Sequence, residues 1–232
     1  AQIMTHMSRK PTHRQGPGGA GGKLRIIAGQ WRRRHVSVLA RDGLRPTPDR
    51  VRETLFNWLS PHTRAARCLD LFAGTGALGL EALSRGAAHC TFVEQDPVAA
   101  RHLRQVLEDL QAVDATVKVG DALQLLQTAD PTTWDVATTS DSAGGFDLVF
   151  VDPPYQLRCQ LTVLDYLSSR GFVSDGALVY VEAGDDIEGL DESRWEVLRA
   201  KRAGQVRYHL LQHRGGACRA PRVISSGRLV TT

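Results

Sequence analysis

From residue 67 onward, short apolar runs alternate with helix-like segments, and this alternation restricts the fold more than any other feature. "CLDLF" (68–72), "CTFVEQD" (90–96), "ATVKVGDA" (115–122), "FDLVFV" (146–151) and "ALVYVEA" (177–183) read as strands. Between them, "ALGLEALSRG" (77–86), "PVAARHLRQVLEDLQ" (97–111), a short segment after 122 and a stretch around 158–170 read as helices. Pro97 suits a first helical turn and Gly86 a helix end. Strands that are apolar on both faces belong in a parallel sheet covered by helices on either side. The expected fold is therefore a doubly wound α/β sheet, mostly parallel. "WEVLRAKRAGQVRYHLLQHR" (195–214) reads as an antiparallel hairpin, turning near Ala203 and Gly204, that closes the sheet. Between the third and fourth strands, "PTTWDVATTSDSAGG" (131–145) is polar and turn-rich, a surface insertion. No internal repeat is visible.

The N-terminal part is organised differently. "HRQGPGGAGGK" (13–23) is glycine-rich and flexible in expectation. "LRIIAGQWRRRHVSVL" (24–39) suggests two short strands about Gly29 with three arginines on the bend. In "RPTPDRVRETLFNWLS" (45–60), Thr47 is a candidate N-cap, Pro48 fits the first turn and Asp49 faces the positive end of the helix. Val51, Leu55, Trp58 and Leu59 form its apolar stripe. The expected organisation is a flexible basic tail (1–23, whose opening "AQIMTHMS" is given no part in the fold), a small hairpin-and-helix extension (24–60), the α/β domain (61–214) and a basic tail (215–232).

Charge is divided unevenly. Residues 1–50 hold 11 basic and 2 acidic side chains, and residues 199–232 hold 8 basic and none acidic. The intervening 51–198 holds 10 basic and 23 acidic, so an acidic body carries two basic ends. Such ends are either solvated tails or a grip on a polyanion. No run approaches the roughly 20 apolar residues that span a bilayer, and the N-terminus lacks a signal-peptide core, which together suggest a cytoplasmic protein. Cys68, Cys90, Cys159 and Cys218 form no CxxC pair and read as reduced thiols. His209 and His213 fall in a strand, so no metal site is expected there.

The segment "LDLFAGTGALGLEALSRG" places Gly74, Thr75 and Gly76 between the first strand of the alternation and its helix. Glycines let the backbone approach a ligand, and the helix start offers free amides. Alone, this loose G-x-G-x-x-G also suits a nicotinamide dinucleotide. Two acids shift the balance. Asp70, inside the strand, is costly there unless it meets polar or cationic partners, and it suits a cationic ligand better than a pyrophosphate. Glu94 ends the second strand, placed to accept from ribose hydroxyls, and Asp121 ends the third, within reach of an adenine amino group. Phe72, Gln95, Ala122 and Thr47 complete the candidate cofactor set. S-adenosylmethionine, with its sulfonium, ammonium, ribose and adenine and no phosphate, satisfies the arrangement.

The fourth strand runs directly into Asp152-Pro153-Pro154-Tyr155. In this topology that strand neighbours the first, so the motif opens across from the glycine loop. Two prolines fix φ and remove two donors, leaving carbonyls free to accept. Asp152 adds a side-chain acceptor and Tyr155 a flat face, which together fit a planar base carrying an exocyclic amine. The competing reading is a rigid corner, with Asp152 capping the next helix.

"DPPY" resembles the (D/N/S)PP(Y/F/W) motif of amino-group methyltransferases. Together, "LRIIAGQWRRR", "LRPTPDRVRETLFNWL", "LDLFAGTGALGLEALSRGA" and "FVDPPY" resemble the bacterial 16S ribosomal RNA guanine-N2 methyltransferases of the RsmD family, over about residues 24–214. The resemblance implies a Rossmann-like methyltransferase sheet that methylates one guanine of small-subunit rRNA, on an assembling or assembled 30S particle; a monomer and no metal are expected. It places the cofactor at Gly74–Gly76, Glu94 and Asp121, and catalysis at Asp152–Tyr155, with Arg45, Pro46 and Thr47 closing over the site. Lys23, Arg25, Arg32, Arg33, Arg34 and Arg45 then read as RNA contacts; Trp31 is either a stacking platform or core. Pro48 stands where the family often has threonine, and the 131–145 insertion is longer than usual. Methylation of DNA adenine, or a non-catalytic RNA-binding assembly role on the same fold, are the alternatives.

Overall fold

The structure, a computed structural model, describes residues 22–39, 47–134, 145–204 and 206–215. Two three-residue strands, β1 (Lys23–Arg25) and β2 (His35–Ser37), form an antiparallel hairpin followed by helix α1 (Asp49–Thr63). The alternating part then runs β3 (Arg67–Asp70), α2 (Ala77–Ser84), β4 (His89–Glu94), α3 (Pro97–Asp109), β5 (Ala115–Val119), α4 (Ala122–Thr128), β6 (Phe146–Val151), α5 (Gln160–Ser169) and β7 (Val173–Ala183). The closing hairpin is β8 (Trp195–Ala203) and β9 (Val206–His213). Seven strands make one sheet in the order β5-β4-β3-β6-β7-β9-β8, parallel except for β9, which runs antiparallel to both neighbours. The expected doubly wound, Rossmann-like sheet with its antiparallel closure is what the chain forms.

The period of two along each strand divides the core. Cys68, Phe92, Leu148, Phe150, Tyr180 and Tyr208 face α1, α2 and α3, whereas Leu69, Val93, Val149, Val151, Val179 and Leu211 face α4 and α5. Helices on both faces explain why the central positions of β3 and β6, Cys68, Leu69 and Leu148 to Val151, are apolar on both sides of the sheet. The order reverses between β3 and β6, so their carboxyl ends open a crevice, the place where ligands bind in sheets of this kind.

The N-terminal hairpin is latched to α2. Glu81, fully buried, accepts from the backbone N–H groups of Ile27 (2.9 Å) and Ala28 (3.0 Å). Ser84 accepts from Trp31 N–H through its hydroxyl (3.1 Å) and from Gln30 N–H through its carbonyl (2.7 Å). Gly29 has φ +82°, and a Cβ there would lie 1.7 Å from the Ser84 carbonyl oxygen, so only glycine fits. Arg52, fully buried, donates to the Arg25 carbonyl (2.8 Å) and Asp49 (2.6 Å) and lies 3.5 Å from Glu81. This arginine belongs to the core, not to a solvent face.

Several expectations are corrected. Thr47 does not cap α1: Pro48 occupies the N-cap without a side-chain hydrogen bond, and the Thr47 hydroxyl turns to Asp152 instead. Trp31 is buried against the hairpin and α2, so it offers no platform for a base. Helix α1 continues past Ser60 through Pro61 to Thr63, a proline tolerated in the last turn. The 131–145 segment is not all surface: a 3-10 turn (Pro131–Thr133) delivers Trp134 into the core, edge-on to Phe172 at 5.2 Å. Lys23, expected in the flexible tail, instead opens β1; residues 1–21, 135–144 and 216–232, with Arg45, Pro46 and Cys218, lie outside the described part. Cys68, Cys90 and Cys159 are buried free thiols. Among the described residues no helix is long and apolar enough to cross a membrane, and no cluster of three His, Cys, Asp or Glu side chains has the makings of a metal site.

Candidate active site

At the carboxyl ends of β3, β4, β5, β6 and β7 lies a cavity of about 460 Å³, within the range of small-molecule sites. Its floor is the turn between β3 and α2. Gly74 (φ +52°) and Gly76 (φ +75°) hold left-handed conformations that bend the chain sharply into the helix. Gly79 serves packing: a Cβ would sit 2.2 Å from the Phe92 ring, so α2 could not lie this close to β4. Gly76 serves packing too. It does not line the cavity; it forms the N-cap of α2 and presses on Leu103.

Two acids hold this floor. Glu94 accepts from Gly74 N–H and from Asp96 N–H, both at 2.8 Å, which braces the loop against the second strand while leaving lone pairs toward the cavity. Asp70 is 3% exposed and accepts a backbone hydrogen bond from Gly79 N–H at 3.1 Å. Burial, helped by the charge of Glu94 and opposed by backbone hydrogen bonds from Gly79 and Phe72, raises its pKa to about 7. A buried carboxylate lining a cavity, with no cation paired to it among the described residues, is a seat for a cationic ligand. Asp121 caps α4 through Gln124 N–H (2.8 Å), so one oxygen is committed to the helix while the side chain still borders the cavity. Phe72, Thr75, Gln95, Ala122 and Thr47 line it as well. An acid seat and a ribose-side carboxylate beside the glycine turn fit S-adenosylmethionine, and the buried Asp70 would repel a pyrophosphate placed there.

The opposite wall is the end of β6. Asp152, Pro153, Pro154 and Tyr155 all line the cavity. Asp152 does not cap the next helix, whose N-cap is Cys159, so the motif is not a structural corner. The Pro154 carbonyl accepts from Leu157 N–H at 2.9 Å, whereas the Pro153 carbonyl accepts no hydrogen bond among the described residues. Tyr155 is 65% exposed at the mouth, its ring lying over Gly184 where a Cβ would come within 2.8 Å.

Sequence reasoning missed Glu182. It ends β7 beside Asp152, in hydrogen-bonding contact with it, and accepts from the Tyr180 hydroxyl at 2.6 Å. Thr47 donates to the other side of Asp152 at 3.4 Å. Burial and the neighbouring Glu182 charge push Asp152 well above the ordinary carboxylate range, and burial raises Glu182 as well. Two touching carboxyls share one proton in such surroundings. The available signal was an acid closing "ALVYVEA", the neighbouring strand, at the same end of the sheet.

The candidate RNA contacts are not gathered at this mouth. Lys23, Arg25, Arg32, Arg33 and Arg34 line no part of the cavity. Arg25 pairs with Asp49 (3.3 Å), and Arg34 reaches the Asp109 carbonyl (3.3 Å) at the last turn of α3. Helix α3 starts beside the cavity and has 13 residues, so that turn lies about 20 Å away.

Sheet order, glycine turn and acceptor-rich wall together define a Rossmann-like methyltransferase. Comparison narrows this further. The family model described as "Conserved hypothetical protein 95" matches residues 24–212. The Escherichia coli K12 protein named ribosomal RNA small subunit methyltransferase D is 43% identical over 207 residues, 88% of this chain and 94% of the relative. The Haemophilus influenzae protein of the same name is 39% identical over 84% of this chain and 96% of its own length. The solved Escherichia coli protein yhhF superposes with TM-score 0.70 at 42% identity, covering 84% of this chain and all of the other. The chain belongs to this family, the RsmD methyltransferases.

Proposed function

We propose that the protein transfers a methyl group from S-adenosylmethionine to the exocyclic N2 of one guanine in 16S rRNA, presented on the 30S subunit or its precursor. The observation that carries this reading is the acceptor pair, the Asp152 carboxyl and the Pro153 carbonyl, lining the same cavity as the glycine loop. The names of the two curated relatives support the substrate class. S-adenosylmethionine, when bound, supplies a methyl group on a positively charged sulfur.

The chain's own residues do the rest. Asp70 and Glu94 seat the cationic and ribose parts, and Thr47, beside Asp152, joins the two halves of the site. Tyr155 stacks on the extruded base, which must leave its helix to reach Asp152. Asp152 and the Pro153 carbonyl accept the two amino hydrogens, drawing the nitrogen toward a pyramidal geometry with its lone pair on the methyl carbon. Positioning of this kind lowers barriers by several kcal/mol, up to roughly 7–11 in ideal cases. As the nitrogen–carbon bond forms and the carbon–sulfur bond breaks onto sulfur, positive charge develops on nitrogen. The Asp152–Glu182 pair offsets that charge and takes up the amino proton.

The test is transfer of labelled methyl to 30S particles and naked 16S rRNA, followed by nucleoside mass spectrometry. A single N2-methylguanosine is expected. Label on adenine would overturn the choice of atom, and label on neither RNA would overturn the substrate.

A further inference from the structure

The basic C-terminal region is not used by the site described above, although its first half is well placed beside it. In the closing hairpin, Tyr208 pairs with Glu182 on one side and with Lys201 on the other, so the three side chains form one row across β7, β9 and β8. Residues directly opposite one another share a sheet face. Lys201 therefore projects on the α1 face, two strand spacings or about 10 Å from the strand that bears Glu182. Arg199, opposite Leu210, lies on the same face one step along β8. From above, α1 places Arg50 close enough for its charge to act on the Tyr208 hydroxyl, while Trp58 packs on the Tyr208 ring at 5.6 Å. The hairpin tip closes on the mouth, since Val206 lines the cavity.

Arg50, Arg199 and Lys201 are exposed, and none forms an ion pair among the described residues. By contrast, Arg207 on the other face is paired with Asp186, and Arg214 with Glu196. Three unpaired cations thus line one approach to a mouth whose interior is acidic.

We propose that this α1–β8 face is the phosphate cradle for the RNA strand flanking the target nucleotide, with Arg50, Arg199 and Lys201 gripping the backbone next to the extruded base. The inference rests on the RNA-methylation reading and gives it an entry path. Phosphates recognised here position the strand without reading sequence, and the acidic cavity behind them repels the backbone while admitting a neutral base. Arg34, some 20 Å from the cavity by the length of α3, is left to contact RNA remote from the reacting nucleotide.

The experiment compares wild type, the triple variant Arg50→Ala/Arg199→Ala/Lys201→Ala and the double variant Arg32→Ala/Arg34→Ala. Binding to unmethylated naked 16S rRNA is measured between 50 and 200 mM salt, with single-turnover methyl transfer to the same RNA and to 30S particles, and cofactor affinity by calorimetry. For the triple variant the expected result is at least tenfold weaker RNA binding and a salt slope reduced by about 2, with transfer falling in step. Its cofactor affinity should be unchanged, because none of the three lines the cavity. An unchanged affinity and slope in the triple variant, with loss confined to the double variant, would overturn the proposal. So would loss on 30S particles alone with naked-RNA binding intact, which would assign the face to a protein surface. A wild type that binds and methylates no RNA would overturn the functional reading as well, and so is distinguishable from failure of the cradle alone.

Discussion

Among the carboxyl groups of the site, Asp70, Asp152 and Glu182 are each held differently. Asp70 is an acid whose charged form is disfavoured by burial, with its pKa raised from 3.8 to about 7. Such a group favours the folded state below about pH 4, and that contribution is lost as pH rises through about 7, because the unfolded chain ionises freely. Asp70→Asn should therefore raise the melting temperature of the ligand-free protein at pH 8 and leave it little changed at pH 4.5. The same substitution should weaken S-adenosylmethionine binding; in wild type, affinity should fall about tenfold from pH 8 to pH 6, as protonation removes the seat's charge. Calorimetry across that range checks both. Asp152 acts at the other wall. Asp152→Ala is expected to cut methyl transfer by roughly 10²–10⁴-fold while cofactor affinity stays within a factor of two, and an equal loss of both would reassign the residue to binding. Glu182 tunes Asp152 through its charge. Glu182→Gln removes that charge, so the acidic limb of the single-turnover pH–rate profile should move to lower pH; a limb left in place would show the two groups titrating independently.

At the scale of elements, the hairpin of β1 and β2 depends on a glycine. Gly29→Ala combines a left-handed φ with a collision against the Ser84 carbonyl, about 2–4 kcal/mol in all. For a chain of this size the melting temperature should fall by roughly 5–15 °C, measured by circular dichroism. The sequence was legible wherever periodicity or turn chemistry set the outcome. Strands β3 to β7 carry apolar runs that only a two-sided sheet can hide, and Gly74, Glu94 and Asp152 stand at strand ends, where a doubly wound sheet builds its site. What stayed hidden depended on contacts far apart in the chain. Thr47 resembles an N-cap until its distance to Asp152 is known, and Arg52 resembles a helix-surface charge until Glu81 and the Arg25 carbonyl close around it. Glu182 stands 30 residues after Asp152, joined to it only by the pairing of β6 and β7. Trp134, set in a polar stretch, gave no periodic signal for its place in the core.

For the whole molecule, the N-terminal extension and the α/β body form one folding unit. Leu24, Ile26, Trp31, Leu55 and Phe56 share a continuous core with α2 and α3, and Glu81 takes its hydrogen bonds and its Arg52 contact from that extension. A shortened chain beginning at residue 61 would leave Glu81 buried without those partners and strip an apolar face from α2. It should fail to give a cooperative thermal transition, whereas the full chain should melt in one; a shortened chain that melts cooperatively would show the body to be autonomous. The sheet ends on one side at β8, and the outermost strand of any open sheet is a template onto which another chain can add. Here that rim carries Arg199, Lys201 and Arg202 within four residues, all exposed. Like-charged rims repel, so two copies meeting edge to edge would bring these cations together. Arg199 and Lys201, which we assign to RNA, would together with Arg202 also guard the rim against edge-to-edge association while the protein is alone, and RNA occupying the face would screen these charges.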